Sequence, residues 1–247
     1  MIRKICLLGL SNLFLTLAVQ AAGNDVHWTY EGTHGPEHWG ELSEDFVQCR
    51  VGLNQSPVDI NSTIDADLPP LVLDYNGYTT ELINKGHTGQ ANVEPGSFLR
   101  VDGQAFELVQ LHLHTPSEHQ IEGKQFLMEV HLVHQNESGE LAVVAMLYDE
   151  GTSTREIEQY NFRLPADVGR AVPYRQPLSD FPAANAPDID YYRYNGSLTT
   201  PPCSEGVRWF VLKDINTTTR EQQAVYKGLI GDDARGPQPQ NARIILR

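Results

Sequence analysis

The chain has few cysteines, few basic residues and none of the segments that usually join separate domains. It has three cysteines in 247 residues, and 18 Lys and Arg stand against 32 Asp and Glu. A protein with a net charge of −14 gains nothing from a phosphate backbone, so we expect no nucleic-acid partner. Repeats, low-complexity tracts and Gly/Ser linkers are also absent from the sequence. We therefore expect a single folded domain.

An apolar segment near the N-terminus is too short to cross a bilayer. The basic pair Arg3 and Lys4 precedes about 15 mainly apolar residues, whereas a membrane helix needs roughly 20. Small residues follow at Ala21 and Ala22, an order typical of a cleaved secretory signal. We expect a signal peptide over residues 1–21, cleaved within a residue or two of its end, and a mature domain over residues 22–247. The protein would then be periplasmic or secreted, with no membrane contact after cleavage.

Cleavage would remove Cys6 and leave two cysteines in the mature chain. In an oxidising compartment, Cys49 and Cys203 are expected to form one disulfide. Two separate buried thiols are the alternative. If the two cysteines are bridged, they close a loop of about 150 residues, which in the chain-entropy model stabilises the fold by roughly 5 kcal/mol at most.

Strand patterns dominate the rest of the chain, and helical patterns are few. Strands are predicted at residues 97–101, 105–114, 126–135, 141–148 and 207–213, with turn residues such as Asp102-Gly103 and Ser138-Gly139 between them. Helices are predicted at residues 154–162 and 219–229, the second capped by a threonine. Consecutive strands joined by tight turns favour a mainly β domain with a largely antiparallel sheet.

Histidines recur on one face of the strand predicted at residues 105–114. Successive strand side chains point to opposite faces, so Gln110, His112 and His114 share one face. The other face takes three apolar residues, Val109, Leu111 and Leu113.

The strand predicted at residues 126–135 carries a third histidine on the matching face. There Glu129, His131 and Val133 share one face, while His134 points the other way and is expected to be a hydrogen-bonded core histidine. If both strands belong to one sheet, His131 and the two histidines of the first strand can converge on one point. Three imidazoles with an open fourth position are a catalytic zinc arrangement.

On each strand, a polar residue stands two positions before a candidate ligand. Gln110 precedes His112, and Glu129 precedes His131. Zinc-bound imidazoles usually have their second nitrogen held by an amide, a carboxylate or a carbonyl. A His-x-His pair alone is weak evidence, because solvated strand histidines are common. The paired polar residues strengthen the prediction of a zinc centre.

The motifs around these histidines resemble those of the α-class carbonic anhydrases of the bacterial exported type. The similarity is carried by Gln110-x-His112-x-His114, Ser117-Glu118-His119, Glu129-x-His131-x-Val133-His134, residues 196–202 (GSLTTPP) followed by Trp209, Trp28-x-Tyr30 and residues 55–60 (QSPVDI). It covers essentially the whole expected mature chain, in order. The fold that the resemblance implies is a single domain with a large, mostly antiparallel twisted central sheet of about ten strands and a few short peripheral helices.

The same resemblance implies an activity. Members of the family interconvert carbon dioxide and bicarbonate, releasing a proton, by attack of a zinc-bound hydroxide. The expected cofactor is one Zn²⁺ per chain, and the expected small-molecule partners are carbon dioxide and bicarbonate. A homodimer is left open as an assembly.

The resemblance also assigns roles around the metal. The zinc ligands and their hydrogen-bond partners match His112, His114, His131, Gln110 and Glu129. Thr199 matches the threonine that accepts a hydrogen bond from the zinc-bound hydroxide and donates its own hydrogen to a carboxylate, here Glu118. Cys49 and Cys203 match the disulfide of bacterial members.

Further roles concern the substrate and the proton. The wall that holds carbon dioxide matches Val133, Val143, Leu198, Thr199, Thr200 and Trp209. His87 matches the proton-shuttle histidine, Tyr30 matches a ligand of ordered water, and Gln90 lies at a position of the water chain beside the shuttle. Cis peptide bonds are expected before Pro57 and Pro202.

Two other functions remain as alternatives. In a cupin-type metalloenzyme, the pattern His112-x-His114-x3-Glu118 would be the first metal-binding motif and Glu118 would be a ligand. Against this, the glycines around the motif are misplaced and the second cupin motif is missing. A non-catalytic binding module of the same fold would typically lose a zinc histidine, and this sequence keeps all three.

Overall fold

The structure is a computed structural model that describes residues 26–184 and 186–247. The expected signal peptide, residues 1–21, lies outside the described residues. The strands are β1 (Asp59–Ile60), β2 (Thr63–Ile64), β3 (Val72–Asp74), β4 (Thr79–Asn84), β5 (Gly89–Val93), β6 (Phe98–Val101), β7 (Gln104–His114), β8 (Gln120–Ile121), β9 (Lys124–Gln125), β10 (Met128–Gln135), β11 (Leu141–Glu150), β12 (Ala171–Pro173), β13 (Tyr191–Ser197), β14 (Glu205–Leu212), β15 (Asn216–Thr218) and β16 (Ile245–Leu246). The helices are α1 (Trp39–Leu42), α2 (Gln48–Val51), α3 (Arg155–Arg163) and α4 (Arg220–Ile230). None of the described helices is long and apolar enough to cross a membrane.

One large sheet organises the molecule. Its strands follow the order β12-β4-β5-β7-β10-β11-β14-β13-β16-β2, with β6 on β7, β3 on β6 and β15 on β11. Most neighbours are antiparallel, whereas β14 and β15 run parallel to β11, and β2 runs parallel to β16. A small separate sheet joins β1, β8 and β9. The predicted mainly β fold, with a mostly antiparallel central sheet of about ten strands, is confirmed.

The two faces of the central sheet carry different residues because strand side chains alternate. Leu111, Leu113, Val130 and Leu132 are buried in the larger hydrophobic cluster. The opposite face carries the smaller apolar cluster, which includes Val133, Val143 and Trp209. The histidines of β7 and the middle of β10 fall on that second face, as the alternation predicted.

The prediction for Val109 is wrong, because a β-bulge interrupts the alternation. Val133 pairs with Gln110, but the next residue, His134, pairs with Leu108, so Val109 has no partner of its own. Val109 is consequently 41% exposed, and Leu108, at 1%, takes the place in the core.

The longer helices and the disulfide tie the remaining segments to this sheet. Helix α4 begins after a capping box made by Thr219 and Gln222, and the Tyr226 hydroxyl of α4 donates to the Leu113 carbonyl of β7 (2.7 Å). Cys49 of α2 and Cys203 are bonded, which confirms the predicted pair. The cis bonds expected before Pro57 and Pro202 are confirmed, and Thr115–Pro116 is also cis.

Candidate metal centre

Strands β7 and β10 bring the three predicted ligands together. His131 lies directly opposite His112, and His114 follows two residues later on the same face of β7. The three ring centroids are separated by 5.0, 5.1 and 4.6 Å. One ring nitrogen of each histidine lies within 4.8 Å of the other two. Three convergent imidazoles of this kind suit a metal with one open coordination position.

The outer nitrogen of each ring faces a fixed acceptor. His112 Nδ1 lies 2.9 Å from Gln110 Oε1, His114 Nδ1 lies 2.6 Å from the Asp233 carbonyl, and His131 Nε2 lies 2.7 Å from Glu129 Oε1. Since these oxygens accept hydrogen bonds, each outer nitrogen carries the ring hydrogen.

The inner nitrogens are therefore left with lone pairs that face one another. His112 Nε2 and His131 Nδ1 are 3.3 Å apart, and His114 Nε2 is buried with no hydrogen-bond partner among the described residues. Lone pairs at this separation repel each other unless a cation lies between them. The donor set thus fits a metal ion held by three neutral imidazoles, with neighbours that orient each ring.

Burial and neighbouring charges shift the pKa values of the three histidines in different directions. Burial, together with the neighbouring histidines, lowers the pKa of His112 well below its usual range. Burial also lowers the pKa of His131, although Glu129 opposes the shift. For His114, burial acts in the same direction, but the Glu118 and Asp233 carboxylates outweigh it and raise the pKa. A proton and a metal ion compete for the inner nitrogen of His114.

Glu118 lies at the edge of this centre with one oxygen fixed. Its Oε1 accepts from the backbone N–H of Arg235 at 2.9 Å. Its Oε2 is buried without a hydrogen-bond partner among the described residues, 3.5 Å from His114 Nε2 and 4.0 Å from His131 Nδ1. Thr199, two residues after the end of β13, is also buried. Its hydrogen bond to Glu118 stays a prediction.

An apolar wall borders the third ligand. Val133, Val143 and Trp209 are direct neighbours across β10, β11 and β14, and Leu198 packs against their cluster. The Trp209 ring lies 4.9 Å from the His131 ring. The residues predicted to hold carbon dioxide are therefore contiguous and adjoin the histidines, with Thr199 and Thr200 following Leu198 in the loop.

The residues predicted for proton transfer lie around the same strands. The His87 ring lies 4.3 Å from the Trp28 ring. Gln90 is directly opposite His112 in the β5–β7 pairing, and its amide donates to Asn92. The Tyr30 hydroxyl is buried without a partner among the described residues, and burial raises its pKa.

Three contributors to the site were not predicted from the sequence. The Asp233 carbonyl orients His114, the Arg235 N–H fixes Glu118, and His119 shares the Glu129 carboxylate with His131. Asp233 and Arg235 are more than 100 residues from their partners along the chain. Local spacing has no signal for such contacts.

A sheet-borne cluster of three histidines that could hold a metal ion, beside an apolar wall, is the arrangement expected of a metal-dependent enzyme. The family model described as eukaryotic-type carbonic anhydrase matches residues 34–247. The chain belongs to this family, the α-carbonic anhydrases, and neither the cupin alternative nor the binding-module alternative is favoured.

Known proteins similar to this chain carry the same family name. A carbonic anhydrase from Pectobacterium carotovorum is 42% identical over 236 residues, which is 95% of this chain and 96% of that protein. The solved α-carbonic anhydrase of Photobacterium profundum is 47% identical with a TM-score of 0.83, covering 90% of this chain and 100% of that one. The Thermovibrio ammonificans α-carbonic anhydrase, solved with the inhibitor sulfanilamide, is 39% identical with a TM-score of 0.85, covering 90% of this chain and 99% of that one.

Proposed function

We propose that this chain is a Zn²⁺-dependent carbonic anhydrase, a lyase that interconverts carbon dioxide and bicarbonate. The observation that carries the proposal is the convergence of three imidazole rings. In each ring the inner nitrogen faces the other two rings, and the outer nitrogen faces a hydrogen-bond acceptor. His112, His114 and His131 would hold one Zn²⁺. When bound, Zn²⁺ lowers the pKa of a water ligand to about 7, the value established for carbonic anhydrases.

The other residues of the site would orient and protect the reacting groups. An ionised Glu118 can only accept hydrogen bonds, so its free oxygen would fix the hydrogen of the Thr199 hydroxyl. The lone pairs of Thr199 would then be turned toward the nucleophile. The wall of Val133, Val143, Leu198 and Trp209 suits an uncharged substrate and binds charged bicarbonate weakly, which favours product release.

The proposal extends to export. Residues 1–21 would be removed as a signal peptide, leaving residues 22–247 in the periplasm or outside the cell. The Cys49–Cys203 disulfide supports an oxidising compartment. Mass spectrometry of the mature protein would give the cleavage position, and analytical ultracentrifugation would distinguish a monomer from a homodimer.

Metal content and activity test the proposed function together. The purified protein should contain about one zinc per chain and hydrate carbon dioxide, and a chelator should remove both properties reversibly. His112→Ala should abolish hydration while leaving a folded domain, because it removes one of three ligands. His38→Ala, which removes an exposed histidine, serves as the control. Full activity of His112→Ala would contradict the assignment.

A further inference from the structure

A continuous set of hydrogen bonds leads from a candidate zinc ligand to the loop that carries Thr199. We name it the buried hydrogen-bond chain. Its six members, each at most 2% exposed, are His131, Glu129, His119, Tyr194, Ser56 and Ser197. Ser197 is the last residue of β13, two positions before Thr199. The buried hydrogen-bond chain therefore connects the candidate zinc ligand His131 with the loop that carries Thr199.

Glu129 is the junction on the metal side. Its Oε1 lies 2.7 Å from His131 Nε2 and 2.6 Å from His119 Nδ1. Its Oε2 accepts from the backbone N–H groups of Glu118 and His119, both at 2.8 Å. One carboxylate thus orients the His131 ring and fixes the backbone of Glu118. All four contacts are buried, so water cannot replace a missing donor.

The chain continues from His119 to the loop. His119 Nε2 lies 2.7 Å from the Tyr194 hydroxyl, which lies 2.9 Å from Ser56 Oγ. Ser56 Oγ accepts from the Ser197 N–H at 3.1 Å, and Ser197 Oγ accepts from the Ser56 N–H at 2.9 Å. The fit at the loop is close, because a Cβ on Gly196 would lie 2.1 Å from Ser56 Oγ.

With a neutral His119, one arrangement of hydrogens satisfies every member. Glu129 accepts from both rings, so the hydrogen of His119 is on Nδ1 and its Nε2 is an acceptor. The Tyr194 hydroxyl then donates to His119, and the Ser56 hydroxyl donates to Tyr194. Ser56 in turn accepts from the Ser197 N–H. A fully satisfied buried network is rigid, whereas a broken one leaves groups unpaired at a cost.

We infer that His119 and Tyr194 are positioning residues of the metal site, which hold Glu129 so that His131 keeps its orientation toward zinc. The inference rests on the proposed zinc centre. Without the Tyr194 hydroxyl, His119 loses its acceptor role and is free to rotate away from Glu129. The Glu129 oxygen then holds His131 less firmly, and zinc leaves sooner. The same break leaves the Ser56 hydroxyl without its acceptor, although its two hydrogen bonds with Ser197 remain.

Zinc release from the loaded protein tests the inference. Replacement of residues that hold a zinc ligand typically weakens metal binding by 10- to 100-fold, so one layer further out we expect about 3- to 10-fold faster release. Tyr194→Phe should show this increase when excess chelator is added and the remaining zinc is measured over time. Tyr191→Phe, on the same strand, is the matched control, because its hydroxyl donates to the distant Pro69 carbonyl. We expect wild-type release from it.

A double-mutant cycle separates positioning from general loosening of the fold. In a Glu129→Gln background, Tyr194→Phe should change the release rate by less than about 2-fold, because the acceptor through which it acts is already altered. Equal effects in both backgrounds would overturn the inference.

His119 offers a conservative rescue that does not depend on Tyr194→Phe. Glutamine can donate to Glu129 and accept from Tyr194, so His119→Gln should retain zinc better than His119→Leu. Equal loss from these two variants would count against the inference. Zinc release from Tyr194→Phe at the wild-type rate would overturn the inference alone, whereas a wild-type protein that binds no zinc would overturn the proposed function with it.

Discussion

At the scale of single residues, the surroundings of His87 bear on its predicted role as the proton shuttle. Burial against neighbours that include Trp28 lowers its pKa to about 4, and the charge of Lys85 adds to the shift. A water ligand with a pKa of about 7 would transfer its proton to such an imidazole with an equilibrium constant of only about 10⁻³. If His87 is the proton shuttle that the resemblance predicts, it would be a weak acceptor at neutral pH, and we expect proton exit to limit the saturated rate.

Replacing His87 tests this role. His87→Ala should lower kcat in weak buffer by about 2- to 10-fold, less than for a shuttle whose pKa matches its donor, and leave kcat/KM nearly unchanged. Proton exit follows the interconversion, so it affects only the saturated rate. Added imidazole should restore much of the loss.

Lys85→Gln should act in the opposite direction and raise kcat in weak buffer, because it removes a charge that lowers the pKa of His87. Stopped-flow hydration in weak and strong buffer measures both, and unaltered kcat for His87→Ala would mean that protons leave elsewhere.

Strand alternation was sufficient to predict which histidines meet at the candidate metal centre, but not which groups hold them. His112, His114 and His131 share a face because the period of two persists from residue 110 to 114 and from 128 to 133. The Asp233 carbonyl reaches His114 from a segment 119 residues away, which no local pattern records. Tyr194 meets His119 across 75 residues for the same reason.

At the scale of elements, the Cys49–Cys203 disulfide anchors the loop between β13 and β14. The loop is also closed by hydrogen bonds from the Cys203 N–H to the Thr200 carbonyl and from the Leu198 N–H to the Ser204 carbonyl. It carries Leu198, Thr199 and Thr200, three of the six residues predicted to meet the substrate. Its position thus depends on one covalent bond, on these backbone contacts, and on the side-chain hydrogen bonds of Ser56 with Ser197 and of Gln55 with the Cys203 carbonyl.

Removing the disulfide should cost both stability and activity. The bond spans 154 residues, and the chain-entropy model gives at most about 5 kcal/mol for a loop of this length. The double variant Cys49→Ser/Cys203→Ser should unfold at lower urea concentration and have reduced kcat/KM, because Thr199 and Leu198 are held less firmly. Reductant should reproduce both effects in the wild type and do nothing to the variant. Unchanged kcat/KM after reduction would show that the loop is positioned by its other contacts.

The bounds of the helices and strands were predicted more closely than the pairing of the strands in the sheet. Helix α4 and strand β7 begin and end within one residue of their predicted positions. The parallel pairing of β14 with β11 was not predicted, because a parallel neighbour is joined through a long crossover instead of a local turn. The bulge at Val109 was also missed, since an inserted residue does not disturb the apolar pattern until the partner strand is known.

At the scale of the whole molecule, the central sheet has the candidate zinc ligands on one face and most of the hydrophobic core on the other. The larger hydrophobic cluster lies on the face opposite the candidate ligands. His134 belongs to that face, one register step past the bulge. Its Nε2 lies 2.6 Å from the Tyr75 hydroxyl and its Nδ1 lies 3.2 Å from the Ala142 carbonyl. The core histidine that the sequence predicted is therefore hydrogen-bonded at both nitrogens.

His134 should make the whole fold sensitive to acid, independently of the metal. Burial lowers its pKa from 6.5 to about 3, although backbone acceptors oppose the shift. Between these values the unfolded chain binds a proton that the folded chain excludes, so stability falls as the pH falls through 6.5. From pH 7.5 to pH 5 the expected loss is about 2 kcal/mol, at about 1.4 kcal/mol for each pH unit below the unfolded pKa.

His134→Gln removes the titrating group, so urea unfolding at pH 7.5 and pH 5 should show a difference about 2 kcal/mol smaller than in the wild type. Loss of zinc at pH 5 would destabilise both proteins alike, which is why the difference between variants isolates His134. The exposed His38→Gln is the control and should keep the wild-type difference. An unchanged pH dependence in His134→Gln would mean that the folded protein accommodates the proton at this position.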